Sequence, residues 1–212
     1  MTELITPDTF LISDHHFGHK NIGDFEPDRI YRAKALGFSN YEEMLIHNHN
    51  KTVKPTDTCL FLGDFSFNSP SPWASQLNGN KILVLGNHDT RGNEAYKDFT
   101  VVRGIHIDWN GTELKADYED QNQSMFIKSF GLETIAFSHY PLWFDDEYNR
   151  QDGSKILNRM RTQEELADSL GVTTVIHGHL HSKTATTKGI NYVNVCCEHL
   201  GYTPRRLGKL FK

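Results

Sequence analysis

A mixed α/β fold with two sheets is what this sequence predicts, on two observations. Short continuous runs of Leu, Ile, Val and Phe alternate with helix-type segments towards both ends of the chain, as strands covered on both faces do. Between them, residues 101–133 alternate apolar and polar side chains, the pattern of half-exposed antiparallel strands. At 212 residues the chain suits a single domain, 1–212, with a substantial core and no linker or internal repeat.

The buried strands are expected at residues 10–13, 59–62, 81–85, 134–137, 172–176 and 192–196. "SNYEEMLIHNHN" opens with Ser39 and carries Glu42 three residues on, a capping-box pattern that predicts a helix. "SPSPWASQLNG" predicts a short helix with Pro70 or Pro72 in its first turn. "IDWNGTELKA" places Asn110-Gly111 between two strand-like halves, a hairpin signal. "DDEYNRQDGSKILNRMR" is the longest polar irregular stretch and reads as a surface loop. "TQEELADSLG" predicts a helix capped by Thr162 and Glu165 and stopped at Gly171.

Composition excludes several classes. With 27 Asp and Glu against 22 Lys and Arg, a broad nucleic-acid-binding face is not expected. Cys59, Cys196 and Cys197 form no CxxC spacing, and the adjacent pair is poorly placed to bridge to itself, so they read as reduced structural thiols. No signal peptide is visible at the N-terminus, and no apolar run approaches the roughly 18 residues of a membrane span. A cytoplasmic protein is the expectation.

Five of the apolar runs finish in the same chemistry. "FLISDHH" ends in Asp14 and His16, "LFLGD" in Asp64, and "ILVLGNHD" in Asn87, His88 and Asp89. "IAFSH" ends in His139, and "VIHGHLH" in His177, His179 and His181. Ligands of open α/β sheets bind where strands stop, so these ends point to one shared site. In an extended segment residues i and i+2 face one side, about 6–7 Å apart. Asp14 with His16, and His179 with His181, can each present two side chains that way, while His15 points away and is set aside. Gly63, Gly86 and Gly178 precede Asp64, Asn87 and His179, where a small residue lets backbone approach closely. Taken singly, each motif also reads as an ordinary polar strand end or turn. The set of five is much harder to reach by chance.

This order, DxH, GD, GNH, H and GHxH, resembles the calcineurin-like metallophosphoesterase superfamily, and "ISDHHFGHKNI" looks like its small stand-alone bacterial and phage members. The resemblance runs from Asp14 to His181. It implies a four-layer αββα sandwich with two mixed central sheets and a dinuclear metal site at their edge. One ion would be held by Asp14, His16, Asp64 and His181, the other by Asp64, Asn87, His139 and His179, with Asp64 bridging. His88 would be the catalytic residue, as proton donor to the leaving group or stabiliser of the phosphoryl oxygens. Imidazole and carboxylate donors suit manganese, iron, zinc or nickel, with manganese favoured, and the absence of Cys ligands disfavours a structural zinc site.

The implied activity is phosphoester hydrolysis by a metal-bridging hydroxide, leaning to phosphodiesters or nucleotide-type substrates. A phosphomonoesterase stays open as the alternative. A catalytically silent binding scaffold is more distant, because every ligand and His88 are present. "GDFSFNS" lacks the second Asp and the Arg that follow the GD motif in many protein-phosphatase relatives, which argues against that activity. His19 and Asn21 in "HFGHKNI", and Arg150, Arg159 and Arg161 around the polar stretch, are the candidate substrate contacts. His47, His49, His106 and His199 read as ordinary surface or helix residues. The expected partner is a small phosphoester, with no membrane and no strong sign of nucleic-acid binding.

Overall fold

The structure is a computed structural model that describes residues 5–89, 92–116, 120, 122–144 and 154–211. Among these, the first sheet contains β1 (Phe10–Ile12), β2 (Thr58–Leu62), β3 (Asn80–Val84), β4 (Thr100–Val102) and β11 (Arg205–Arg206), in the order β11-β1-β2-β3-β4. β1 to β4 run parallel, and the short β11 closes one edge antiparallel to β1. The second sheet contains β5 (Gly104–Trp109), β6 (Thr112–Ala116), β7 (Ser124–Phe130), β8 (Glu133–Ser138), β9 (Thr174–His177) and β10 (Asn191–Asn194), in the order β10-β9-β8-β7-β5-β6. The described helices are α1 (Ile22–Phe25), α2 (Pro27–Ala35), α3 (Tyr41–Thr52), α4 (Ser71–Ala74) and α5 (Ser154–Ser169). None of them is long and apolar enough to cross a membrane.

Strand alternation builds the layers. Phe126 of β7, Ile135 and Phe137 of β8, and Ile176 of β9 face the first sheet and join its core. Their neighbours Met125, Ile127, Ala136 and Val175 face the opposite way and pack with Ile156, Met160 and Ala167 of α5. On the far side of the first sheet, Met44 and Leu45 of α3 join the core that contains Leu60 and Phe61. Two mixed sheets flanked by helices result, the expected four-layer α/β arrangement.

Register aligns the strand ends that matter. Ile12 pairs with Phe61, Leu62 with Val84, and Ser138 with His177. Beyond the first sheet's strands the chains stay tied, with Asp14 N–H donating to Gly63 O at 3.1 Å and His16 N–H to Asp64 O at 3.0 Å. The two sheets meet where Ser13 N–H donates to the Val195 carbonyl at 2.9 Å, just past β10. The ends of β1, β2, β3, β8 and β9 therefore open on one edge.

Several expected details differ. The α3 cap is one residue later: Asn40, in extended backbone, accepts from Glu43 N–H at 2.8 Å, and the Glu43 carboxylate reaches back to Ser39 N–H at 3.1 Å. Asn competes on equal terms with Ser as a cap, so the pattern alone permitted both frames. Helix α5 begins at Ser154, eight residues before Thr162, whose hydroxyl bonds back to Asn158 O within the helix. Residues 154–161 of the polar stretch are thus helical, their buried apolar members Ile156 and Met160 being spaced by one turn. The helix does stop at Gly171, with φ +63°. The Asn110-Gly111 hairpin joins β5 and β6, both turn residues having positive φ. The middle region is not wholly antiparallel, because β6 and β7 flank β5 on opposite sides and β7 runs parallel to it.

The shifted cap makes a measurable difference. Asn40→Ala should cost about 1 kcal/mol in denaturant unfolding, the usual worth of an N-cap side chain. Ser39→Ala should be close to neutral; the reverse ranking would return the cap to Ser39.

Candidate metal centre

The ligand-type residues do not converge by strand alternation. β1 ends at Ile12 and β9 at His177, so Asp14, His16, His179 and His181 all lie in loops beyond the strands. Left-handed backbone turns them inward instead: φ is +59° at Asp14, +50° at His16, +51° at Asp64, +69° at His179 and +49° at His181. Each such residue costs of order 1–3 kcal/mol and persists only where its surroundings over-determine it. His15 does point away, into a nest of Phe17, Phe61 and Phe65 rings at 5.2–5.5 Å. His177 does not join the other two histidines of its motif. It is buried, donates from Nδ1 to Gly178 O at 2.8 Å and packs on Tyr192 at 5.6 Å.

Asp14 shows what the first half of the centre is built to hold. Its Oδ2 accepts from His179 N–H at 3.0 Å and Cys196 Sγ at 3.1 Å, with the Ser13 hydroxyl beside it. Its Oδ1 is buried with no hydrogen-bond partner, and so are both ring nitrogens of His16. That oxygen faces His16 Nε2 at 3.8 Å and His181 Nε2 at 3.9 Å, too far for hydrogen bonds. Donors that share one ion at about 2.0–2.2 Å stand roughly 3–4 Å apart. The three atoms therefore fit a divalent cation between them, and Asp14, His16 and His181 form a group able to hold one. Burial alone would raise the Asp14 carboxyl, but the imidazoles of His16, His139 and His181 hold it well below the usual range.

Asp64 joins this half to a second. Its Oδ1 accepts from His88 N–H at 2.9 Å, while Oδ2 faces His139 Nε2 at 3.5 Å and His16 Nε2 at 3.7 Å. His139 Nδ1 lies 2.8 Å from the Leu62 carbonyl, which can only accept, so that nitrogen carries the proton and Nε2 the lone pair. Facing that lone pair are Asn87 Oδ1 at 3.0 Å and His179 Nδ1 at 3.2 Å. The Asn87 oxygen and that lone pair repel in a buried pocket unless a cation or an added proton lies between them, and His179 Nδ1 is a further ligand atom there in the tautomer that leaves it unprotonated. Burial disfavours a proton on His139, yet Asp64 and Asp14 outweigh it and raise its pKa. His179 goes the other way, pushed down to about 3 by burial and by His139.

Two glycines owe their identity to close approach. A Cβ on Gly86 would lie 2.2 Å from Asp64 Oδ1, and one on Gly178 would lie 2.1 Å from Ser13 Oγ and 2.4 Å from Asp14 Oδ2. Asp89, the residue after GNH, clamps the same ground. Its buried carboxylate accepts from Asp64 N–H at 2.7 Å, Gly86 N–H at 3.0 Å and Phe65 N–H at 3.2 Å. Burial and the neighbouring Asp64 push its pKa up to about 7.

The remaining candidates divide. His88 is half-buried at the centre's edge, with Nε2 3.9 Å from Asp64 Oδ2 and its ring 5.1 Å from Phe67. His19 stands between His16, at 5.9 Å, and Phe67, at 4.3 Å. Asn21 is exposed before α1, its N–H donating to His19 Nδ1 at 3.2 Å. Arg150 lies outside the described residues. Arg159 is not a free phosphate contact: its guanidinium is spent on Asp120 at 2.6 Å, and Arg161 is exposed on α5. His49, set aside as ordinary, is indeed a helix residue, buried and bonded to Asn78 O at 2.9 Å. A cleft of about 360 Å³ opens beside the centre, walled by Ile22, Phe25 and Leu180 with Lys183 at its rim.

The sequence reading missed Ser13, Cys196 and the clamp made by Asp89. Ser13 and Asp89 flank motif residues and were open to notice. Cys196 is 182 residues from Asp14 and carries no local signal.

Comparison with known proteins shows the family and the fold. The calcineurin-like phosphoesterase family model matches residues 9–183. The gene 66 protein of Mycobacterium phage L5 is 25% identical over 189 residues, covering 86% of this chain and 82% of that protein. An uncharacterised protein of Methanocaldococcus jannaschii is 36% identical over 91 residues, which span 39% of this chain and about half, 47%, of that protein. A crystal structure of a protein of unknown function from Aquifex aeolicus has a TM-score of 0.63 at 27% identity, over 92% of this chain and 93% of that one.

Because the unpartnered Asp14 Oδ1 and His16 ring nitrogens are what a cation would satisfy, metal-stripped protein should melt higher when manganese or another divalent ion is added, as any ligand of the native state requires. Asp64→Asn should lower both metal content and this stabilisation while leaving a folded chain. Two tightly held ions in that variant, by elemental analysis, would remove Asp64 from the shared position. Gly178→Ala should destabilise by about 1–3 kcal/mol, the range for overpacking. An unchanged melting temperature would contradict the close approach described.

Proposed function

The chain belongs to the calcineurin-like phosphoesterase family, and from that premise we propose that it is a metal-dependent phosphoester hydrolase with a two-ion centre. Asp14, His16, Asp64 and His181 would hold one ion; Asp64, Asn87, His139 and His179 would hold the other. Manganese is favoured among manganese, iron, zinc and nickel, since the donors are carboxylate, amide oxygen and imidazole. The observation that carries the reading is the convergence of buried acceptor atoms around Asp64 Oδ2. Two bound divalent ions would supply charge to the phosphoryl oxygens and acidify a water molecule.

The protein's own groups do the rest. Asp89 holds the Asp64 main-chain N–H and the His88 N–H holds one carboxylate oxygen, so the second oxygen keeps one direction. Leu62 O fixes the His139 tautomer. His88 stands at the mouth with its imidazole partly open to solvent, where it can pass a proton to a departing oxygen. The cleft beside it supports a substrate whose phosphate carries an organic group. Phe25 is 71% exposed and Phe67 43% exposed, on either side of His19, and flat aromatic faces at a phosphate-binding mouth suit a planar ring. A phosphodiester or nucleotide-type substrate is the reading these features support.

A screen of phosphodiesters, nucleotides and simple phosphomonoesters with added manganese tests it. We expect the highest kcat/KM for diesters or nucleotides; a preference for small non-aromatic monoesters would overturn the substrate half, and no hydrolysis at all would overturn the whole. His88→Ala should keep both ions. It should lose roughly 10²–10⁴-fold with an alcohol or nucleoside leaving group, the usual range for general acid catalysis. The loss should be much smaller with a nitrophenyl ester, whose leaving group is stable as an anion. Equal losses would instead assign His88 to the phosphoryl oxygens.

A further inference from the structure

Arg29, on α2, is completely buried, and each of its three guanidinium nitrogens donates to a group around the metal centre. Nη1 donates to His15 O at 2.7 Å and Nη2 to Asp14 O at 2.9 Å. The next carbonyl, His16 O, accepts from Tyr41 Oη at 2.7 Å, and the Arg29 guanidinium lies over the Tyr41 ring. Three successive carbonyls of the Asp14–His16 loop are thus held from one side. The other arm of Arg29 grips Glu198, with Nε 3.0 Å from Oε1.

Glu198 lies in the turn after β10, beyond the 9–183 span of the family match. Its Oε1 is occupied by Arg29, and its Oε2 is buried with no hydrogen-bond partner. That oxygen faces His181 Nδ1 at 3.5 Å, while the opposite nitrogen, Nε2, faces Asp14 Oδ1. Glu26 is the other carboxylate near Nδ1, farther off at 4.0 Å. A buried ion pair contributes little net stability compared with apolar residues of the same shape. Its placement against a ligand-type histidine gives it a different use.

We propose that Glu198 is a positioning residue of the metal centre, accepting the His181 Nδ1 proton so that Nε2 presents its lone pair to the ion shared with Asp14 and His16. This rests on the reading of His181 as a ligand. Arg29 is the common frame, since one guanidinium holds both the Asp14 and His15 carbonyls and the carboxylate that orients His181. A carboxylate behind a metal-bound histidine fixes tautomer and ring direction and makes the ring a better donor. Glu198→Gln would present an amide N–H or a weaker acceptor to that nitrogen.

Manganese titration of the metal-stripped protein, followed by calorimetry, reads this without any assay of activity. Wild type should bind two ions. In Glu198→Gln one of them should bind about 10–100-fold more weakly, the usual cost of losing such a partner, and the other should be unchanged. Glu198→Asp keeps the charge beside Arg29 but withdraws it from His181, so it should weaken the same ion. It also serves if the Gln variant does not fold. Adding Glu198→Gln to His181→Ala should cost no further affinity, because the effect runs through that ring. Wild-type affinity for both ions in either folded variant, or full additivity with His181→Ala, would reduce Glu198 to a counter-charge for Arg29. A wild-type protein that binds no divalent ion would overturn the metal reading itself, a separate outcome.

Discussion

Asp14 and Asp64 follow adjacent parallel strands into the interior, and their carboxylates end side by side. Both are essentially buried, and one oxygen of each lies with His139 in a group whose atoms are within 4.8 Å of one another. Two negative charges at that separation repel by about 3–4 kcal/mol at an effective dielectric near 20. Much of the surrounding architecture is arranged to tolerate this. His16, His139 and His181 ring the pair, three donors gather on Asp14 Oδ2, and Asp89 and His88 fix the Asp64 segment through backbone N–H groups.

That constraint explains features which look unrelated. The left-handed ligand-type residues lie two to four positions beyond a strand end, where their side chains must turn inward. Glycines stand where a Cβ would strike a carboxylate oxygen. The centre also straddles the seam of the sandwich: Asp14, Asp64 and Asn87 follow strands of one sheet, His139 and His179 strands of the other. It exists only when the two sheets are packed, so ion binding and folding are linked through the same contacts.

The seam also makes the far end of the chain part of the site. Ser13 pairs with Cys196, and Cys196 then reaches Asp14. The turn that follows carries Glu198 back to Arg29 and His181. None of these groups belongs to a repeating motif, and each is meaningful only through what it touches.

The sequence by itself determined the fold class, most strand positions and the residues that gather at the strand ends, because apolar runs and their polar terminations are local signals. It misjudged what depends on competition between near-equal choices: the cap at Ser39 or Asn40, and the start of α5, where a polar stretch hid two inward-facing residues one turn apart. The tertiary structure alone decided how Asp14 and His16 come to face one cavity. The expected mechanism was the two-residue strand repeat, and the actual one is positive φ, a backbone choice that neighbouring hydrogen bonds impose and residue identity only weakly encodes. It likewise decided that His177 is a core residue and Arg159 the partner of Asp120, since a side chain's partners are set by packing across the whole chain rather than by its neighbours in sequence.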